Sequence, residues 1–225
     1  MADIVDASLA QALLETALAM NAQGLNQGSS GNLSARLETG FLITPSALPY
    51  QRCQAEDMVI VSWDGAYAGV RAPSSEWRMH RDIYLAYPQA LCILHAHAPW
   101  CSTLASLEMG IPAQHYMVAL AGGDSIRCTP YAPFGTQELS DAAVAGLQDR
   151  SATLLGHHGL ICYATSFDQV LALACEVEFL ARVYGQSLSI TTKPPLLSPE
   201  DMQSMAARFS SYKKIGQIKD PVANK

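Results

Sequence analysis

Two histidines separated by a single residue, at the end of an apolar run, carry the first chemical signal: residues 91–100 read LCILHAHAPW. Side chains alternate along an extended strand, so His95 and His97 share a face and point the same way. Two imidazoles converging at a strand end make half of a metal site, since a catalytic zinc takes three protein ligands at about 2.0–2.1 Å and keeps a further position open. The same pair also suits two hydrogen-bonded polar residues at a strand end, so a metal requires a third ligand. TLLGHHGLICYA supplies one. It reads as an apolar strand interrupted by His157 and His158, and neighbouring strand residues face opposite sides, so only one of the two can join.

A carboxylate is available in PSSEWRMHRDIYLAYP. A proline and two serines precede Glu76, and Ile83, Tyr84 and Tyr87 continue a helical period. Glu76 then falls in a first turn whose amides favour an anion, with Ser74 and Ser75 as a phosphate cradle. His80, four residues on, reads as a core histidine. Three neutral imidazoles, a carboxylate and an open position suit a catalytic centre that polarises a carbonyl and holds the enediolate left when a carbon–carbon bond breaks.

The lysines sharpen this. All five (Lys193, Lys213, Lys214, Lys219, Lys225) lie near the C-terminus. A Schiff base with a carbonyl substrate therefore lacks a core nucleophile, and a metal is the electron sink that remains. The other compositional bounds are broad. A chain of 225 residues, 49% hydrophobic and 15% charged, suits one large soluble domain. A net charge of −6 disfavours nucleic acid and anionic membrane surfaces as partners. No run spans a bilayer, and the acidic start MADIVDASLA argues against a signal peptide and for a cytoplasmic protein. Six cysteines without paired spacing read as reduced, mostly buried thiols.

The elements that must position these groups follow from periodicity. Residues 7–23 carry Leu9, Leu13, Leu14, Ala17 and Met20 at helical spacing. GLNQGSSGN is a small-residue loop that lets backbone amides approach a ligand, feeding the strand LSARL. Residues 41–44 form a strand ending in the turn Pro45-Ser46-Ala47, and MVIVSWDG a further strand with a hairpin turn at Asp64-Gly65. CSTLASLEM is a helix, SDAAVAGLQDR a helix capped by Ser140, and residues 166–190 a long amphipathic helix. SPEDMQSMAARFSSY is a short helix and residues 213–225 a loose tail. No linker divides the chain, so residues 1–225 read as one mixed α/β domain with a largely antiparallel sheet.

Taken together, GLNQGSSGNLSAR, FLITPSALPY, PSSEWRMH, HAHAPWCSTLA, PAQHYMVALAGGDSI, PYAPFGTQELS and LLGHHGL resemble the successive motifs of the class II aldolase/adducin superfamily, nearest to its fuculose-phosphate aldolase branch. The likeness runs from about Leu9 to Tyr212. It implies a three-layer α/β/α fold and a homotetramer with active sites at subunit boundaries. It implies one zinc, or another divalent metal, per subunit on His95, His97 and His158, with Glu76 as acid/base that also contacts the metal before substrate binds. It implies phosphate positions at Ser29, Ser30, Asn32, Ser46, Ala47, Ser74 and Ser75. Tyr116 would act across the subunit boundary on the aldehyde oxygen, Phe134 would line the aldehyde side, and Tyr212 would close over the site. The implied reaction is aldol cleavage of a sugar phosphate, a ketose 1-phosphate such as L-fuculose 1-phosphate, to dihydroxyacetone phosphate and L-lactaldehyde. A 5-deoxy- or methylthio-pentulose phosphate is the nearest alternative substrate. An L-ribulose-5-phosphate 4-epimerase-type activity ranks below, because those enzymes resemble this pattern with aspartate after the paired serines, and a non-catalytic adducin-like module ranks lower still. One departure stands out: the family often has glycine where this chain has Ala47.

Overall fold

Strand-forming runs bury their backbone amides, and each must find a partner in a neighbouring strand. The computed structural model describes residues 7–215, in which eight strands meet that demand in one sheet. They are β1 (Asn32–Arg36), β2 (Gly40–Ile43), β3 (Val59–Ser62), β4 (Tyr67–Ala68), β5 (Cys92–Ala96), β6 (Cys128–Thr129), β7 (Ala152–Leu155) and β8 (Gly159–Ala164). Their order is β4-β3-β2-β1-β5-β8-β7-β6. All pairs are antiparallel except β6–β7. The helices are α1 (Ala7–Ala22), α2 (Trp77–Ala86), α3 (Pro99–Ala105), α4 (Gln137–Gly146), α5 (Phe167–Ile190) and α6 (Pro199–Ile215).

Strand alternation sorts the core into two halves. Leu33, Leu42, Leu94 and Leu160 pack on one face with α1, α3 and α5, while Phe41, Ile43, Ile93 and Ile161 pack on the other with α2 and α4. Both faces of the sheet are covered, which is the expected three-layer α/β/α arrangement. β5 sits near the middle, between β1 and β8. His95 shares the face of Ile93, and therefore looks toward α2.

Four local expectations are corrected. Glu76 is not in the first turn of α2 but at its N-cap position, which frees its side chain from the helix. Thr136, whose hydroxyl accepts from Leu139 N, caps α4; Ser140 lies inside that helix and is buried, bonded to Arg78 O and Asp82. The GHHG segment does not interrupt one strand: it is the turn between two, with His157 at a left-handed φ of 53°. The final helix runs on to Ile215, so residues 213–215 are helical and not tail, while 216–225 lie outside the described residues.

Two glycines make the turn possible. A Cβ on Gly156 would stand 2.4 Å from Thr129 O, and one on Gly159 would stand 2.4 Å from Ala96 O and 3.3 Å from the Cα of His97. Both obstacles are backbone, which cannot rotate away. Gly159→Ala must therefore push β8 off β5 where His97 leaves the strand, and is expected to cost about 1–3 kcal/mol in urea unfolding. An unchanged midpoint would contradict the close approach.

Candidate metal centre

Two elements deliver the three imidazoles. β5 ends at Ala96, placing His95 in the interior, fully buried, and His97 one residue beyond the strand. The β7–β8 turn delivers His158. The ring centroids of His95 and His97 are 5.0 Å apart, those of His95 and His158 4.6 Å, and those of His97 and His158 4.9 Å. One nitrogen from each lies within 4.8 Å of the others. Glu76 closes the group, with Oε2 at 3.2 Å from His95 Nε2 and Oε1 at 3.4 Å from His158 Nε2.

The hydrogen-bond chemistry fits a cation at the centre of this group. His95 Nδ1 lies 2.9 Å from the carbonyl oxygen of Leu160, which can only accept, so Nδ1 carries the hydrogen and Nε2 of the neutral ring is a bare lone pair. That lone pair faces a carboxylate oxygen at 3.2 Å and the Nε2 of His97 at 3.1 Å. A carboxylate oxygen opposite an unprotonated nitrogen is repulsive unless a positive charge stands between them. Glu76 Oε1 is in addition buried without a hydrogen-bond partner among the described residues. The donor set, three nitrogens and a carboxylate oxygen, is that of a catalytic zinc-type site, and the carbonyl on His95 Nδ1 is the outer partner such a ligand requires.

The protonation states agree. Burial lowers the pKa of His95, aided by His97 against the pull of Glu76; burial and His158 lower that of His97. His158 is held down to about 4, first by burial and then by His95. Burial pushes Glu76 up, and the opposing pull, to which the hydrogen bond donated by the Asn32 amide contributes, leaves the carboxyl below its ordinary range. Neutral imidazoles beside an ionised carboxylate are ready for metal without proton loss.

A cleft of about 400 Å³ opens over the centre. Ser29 and Ser30, Ser46 and Ala47, and Ser74 and Ser75 reach it from three loops, with Asn32, Glu76, His97 and His158 at the floor and Phe134 at the rim. Pro45 and Pro73 form an isolated bridge, and Ser46 N and Ser74 N donate across to Ala72 O and Thr44 O, so two loops are bonded side by side. The third is held by Tyr50, whose hydroxyl donates to Gly31 O at 2.9 Å. No lysine or arginine lines the cleft among the described residues. Ala47 has a φ of 55°, the left-handed conformation that glycine adopts freely.

Other residues fall elsewhere. Asn32 lines the cleft, but its amide is committed to Glu76 and His80. Tyr116 begins a 3₁₀ segment away from the cleft of its own chain, 46% exposed and stacked on His115 and Phe209. Tyr212 belongs to α6, and its side chain lies outside the described residues. His157, the other candidate of the adjacent pair, lines the cleft. Several further contributors were not singled out in the sequence. Tyr131 lines the cleft as well. Asn26 accepts from His97 N at 2.9 Å. Glu178 of α5 accepts from Trp100 N and Cys101 N, capping the helix that follows His97. Only the Asn26 loop carried a signal, its density of small polar residues.

Comparison with known proteins shows the family of the chain. A family model described as Class II Aldolase and Adducin N-terminal domain matches residues 11–185. An L-fuculose phosphate aldolase of Escherichia coli (strain K12) is 44% identical over 204 residues, 91% of this chain and 95% of that protein. A 5-methylthioribulose-1-phosphate/5-deoxyribulose-1-phosphate aldolase of Rhodospirillum rubrum is 42% identical over 216 residues, 96% of this chain and 97% of that protein. Among solved structures, an L-fuculose 1-phosphate aldolase superposes with a TM-score of 0.89 at 31% identity, over 93% of this chain and 100% of that one.

Two outcomes test the centre. His95→Ala removes the interior ligand and should reduce bound divalent metal, measured by elemental analysis, at least about tenfold. The second concerns pH. Burial holds His80 down to about 3 from an ordinary 6.5. Because the folded pKa is depressed, the unfolded chain takes up the proton first as pH falls, so stability present above the ordinary value is lost toward the folded one. His95, His97 and His158 act in the same direction. The urea midpoint of metal-free protein should therefore already fall between pH 6.5 and about 5, above the range where carboxylates titrate. A flat midpoint there would mean that these imidazoles are charged in the fold.

Proposed function

We propose, for a chain that belongs to the class II aldolase and adducin family, the cleavage of a ketose 1-phosphate, L-fuculose 1-phosphate foremost, to dihydroxyacetone phosphate and L-lactaldehyde. Class II aldolases are metal-dependent lyases, and the chain is an enzyme of that kind. The observation that carries the substrate class is the single cleft in which three imidazoles and Glu76 face three small-residue loops. We infer that His95, His97 and His158 hold one zinc ion, which when bound would polarise the ketose carbonyl and carry the charge of the enediolate.

The residues of the chain divide the remaining work. Hydroxyls and amides of the loops at Ser29 and Ser30, Ser46 and Ala47, and Ser74 and Ser75 bind the phosphate, aided by the N-terminus of α2, in a site without a cationic side chain. Glu76 is anchored through Oε2 by the Asn32 amide at 2.9 Å, while Oε1 has no hydrogen-bond partner. That free oxygen is suited to carry a proton. As the carbon–carbon bond breaks, the hydroxyl on the departing carbon gives up its proton, which passes to Glu76 Oε1, and the aldehyde leaves. Glu76, now protonated, returns that proton to carbon of the enediolate, giving dihydroxyacetone phosphate and the carboxylate again. Tyr116 of a neighbouring subunit, in a homotetramer, hydrogen-bonds the departing oxygen and relays its proton; its exposure away from its own cleft supports that assignment. Phe134 lines the aldehyde end, and Tyr212 closes it.

A 5-deoxy- or 5-methylthio-pentulose 1-phosphate is the second reading, favoured by the likeness to the Rhodospirillum rubrum protein over 96% of the chain. Tyr131 and Phe134, both exposed at the rim, offer an aromatic surface to an apolar substrate end of either kind. The cytoplasmic location follows the enzyme class; no helix among the described residues is long and apolar enough to cross a membrane.

A product-identifying screen of ketose 1-phosphates, with and without chelator, decides between the substrates. Release of dihydroxyacetone phosphate should stop on chelation and return with zinc. Glu76→Gln should lose about 10²–10⁴-fold in turnover with metal content retained. Normal turnover in that variant would remove Glu76 from its role.

A further inference from the structure

Between α2 and β1, in an otherwise apolar interface, runs a line of polar side chains. His80 and Tyr84 stand four residues apart on one stripe of α2, with Glu76 four residues earlier at its N-cap; Asn32 and Ser34 stand two apart and share one face of the strand. The two stripes interleave. Asn32 Nδ2 is 2.9 Å from Glu76 Oε2, Asn32 Oδ1 is 2.5 Å from His80 Nε2, His80 Nδ1 is 2.7 Å from Ser34 Oγ, and Ser34 Oγ is 2.8 Å from Tyr84 OH. All five residues are buried, His80 and Ser34 completely.

The chemistry of its end fixes the direction of the whole line. An ionised carboxylate only accepts, so the Asn32 amide must present Nδ2 to Glu76 and Oδ1 to His80. His80 Nε2 then carries the hydrogen and Nδ1 accepts. The Ser34 hydroxyl donates to Nδ1, and the Tyr84 hydroxyl donates to Ser34. Every donor points toward Glu76. Arg36, next on the same face of β1, closes the far end: its guanidinium stacks 4.8 Å over the Tyr84 ring and donates to the Tyr84 and Ala90 carbonyls.

Buried polar groups on a sheet–helix interface are costly unless every member is paired, and they fix one arrangement when they are. We propose that His80 is a positioning residue for the metal-site carboxylate: with Ser34 and Tyr84 it locks the Asn32 amide, so that Asn32 holds Glu76 by Oε2, which faces His95, and leaves Oε1 facing His158. His80 touches neither substrate nor metal and acts only through Asn32. The inference rests on Glu76 as the proton carrier of the proposed cleavage.

The test uses cobalt(II)-loaded full-length protein. His80→Phe fills the space without a donor, and His80→Gln restores an amide N–H toward Asn32. His80→Phe should lose about 10–100-fold in kcat. Its KM for the ketose phosphate should stay within about threefold, since ground-state phosphate contacts are untouched. His80→Gln should recover most of kcat. The visible absorption of the substrate-free cobalt protein should shift in His80→Phe and return in His80→Gln. If His80→Phe does not fold, Ser34→Ala, which removes the donor to Nδ1, should show the same spectral shift in smaller measure. A folded His80→Phe with wild-type kcat and spectrum overturns the proposal. Equal losses in both His80 variants, following their stability, overturn it as well, since they mark a purely structural role. A wild-type spectrum in Ser34→Ala, where His80→Phe cannot be made, does the same. If wild-type protein cleaves no ketose phosphate the proposed activity falls by itself, and the cobalt spectra still decide the positioning role.

Discussion

Electron-rich atoms packed against one another are the constraint on which this structure turns. A bare imidazole nitrogen 3.2 Å from a carboxylate oxygen, both buried, is unfavourable without a positive charge between them. The fold does nothing to relax it. It tightens the arrangement instead, by tying His95 to the Leu160 carbonyl on one side and Glu76 to Asn32 on the other. A buried group of this kind is costly as it stands and would be relieved by a cation, and the rigid elements around it hold it in place.

Those elements are the central strands and the turns at one end of them. β1, β5 and β8 lie side by side, so that Asn32 pairs in register with His95 and His95 with Ile161. The loops leaving this end carry glycine, serine and asparagine, and their backbones come closer together than side chains would permit. A Cβ on Gly31 would stand 2.6 Å from the carbonyl oxygen of His95. The close approach thus seats the small-residue loop directly on the strand that carries His95. Loop amides and hydroxyls and the imidazoles then face one cleft, which no lysine or arginine lines among the described residues.

The face of the sheet toward α2 adds a second level of order. A polar line reaches from Arg36 through Tyr84, Ser34, His80 and Asn32 to the carboxylate, where an apolar interface would have been simpler to pack. Its members are hydrogen-bonded at every link, so it holds Asn32, and through it one oxygen of Glu76, without bringing a charged side chain up to the imidazoles. Rigidity is supplied from the interior side of the carboxylate, and the cleft side is left free for chemistry.

The sequence by itself determined the chemistry and the frame. His95 and His97 announce themselves because strand alternation is local, Glu76 because serines and proline mark a helix start, and the absence of lysine before Lys193 because composition needs no coordinates. Element periods gave the strands around β5 and the helices α1 and α5 closely, since long apolar repeats depend on neighbours in the chain. What adjacency in the chain could not express was decided by tertiary structure. Residue spacing cannot tell that His157 and His158 occupy a turn, for the left-handed φ of His157 is imposed by the pairing of β7 with β8. Ser140 resembles a cap, yet Thr136 holds that place because α4 begins three residues earlier and buries Ser140 against α2. His80 is a core histidine in either reading. That it grips Asn32, and through it the carboxylate, depends on β1 and α2 meeting 48 positions apart in sequence, and only folding brings two such stripes into register.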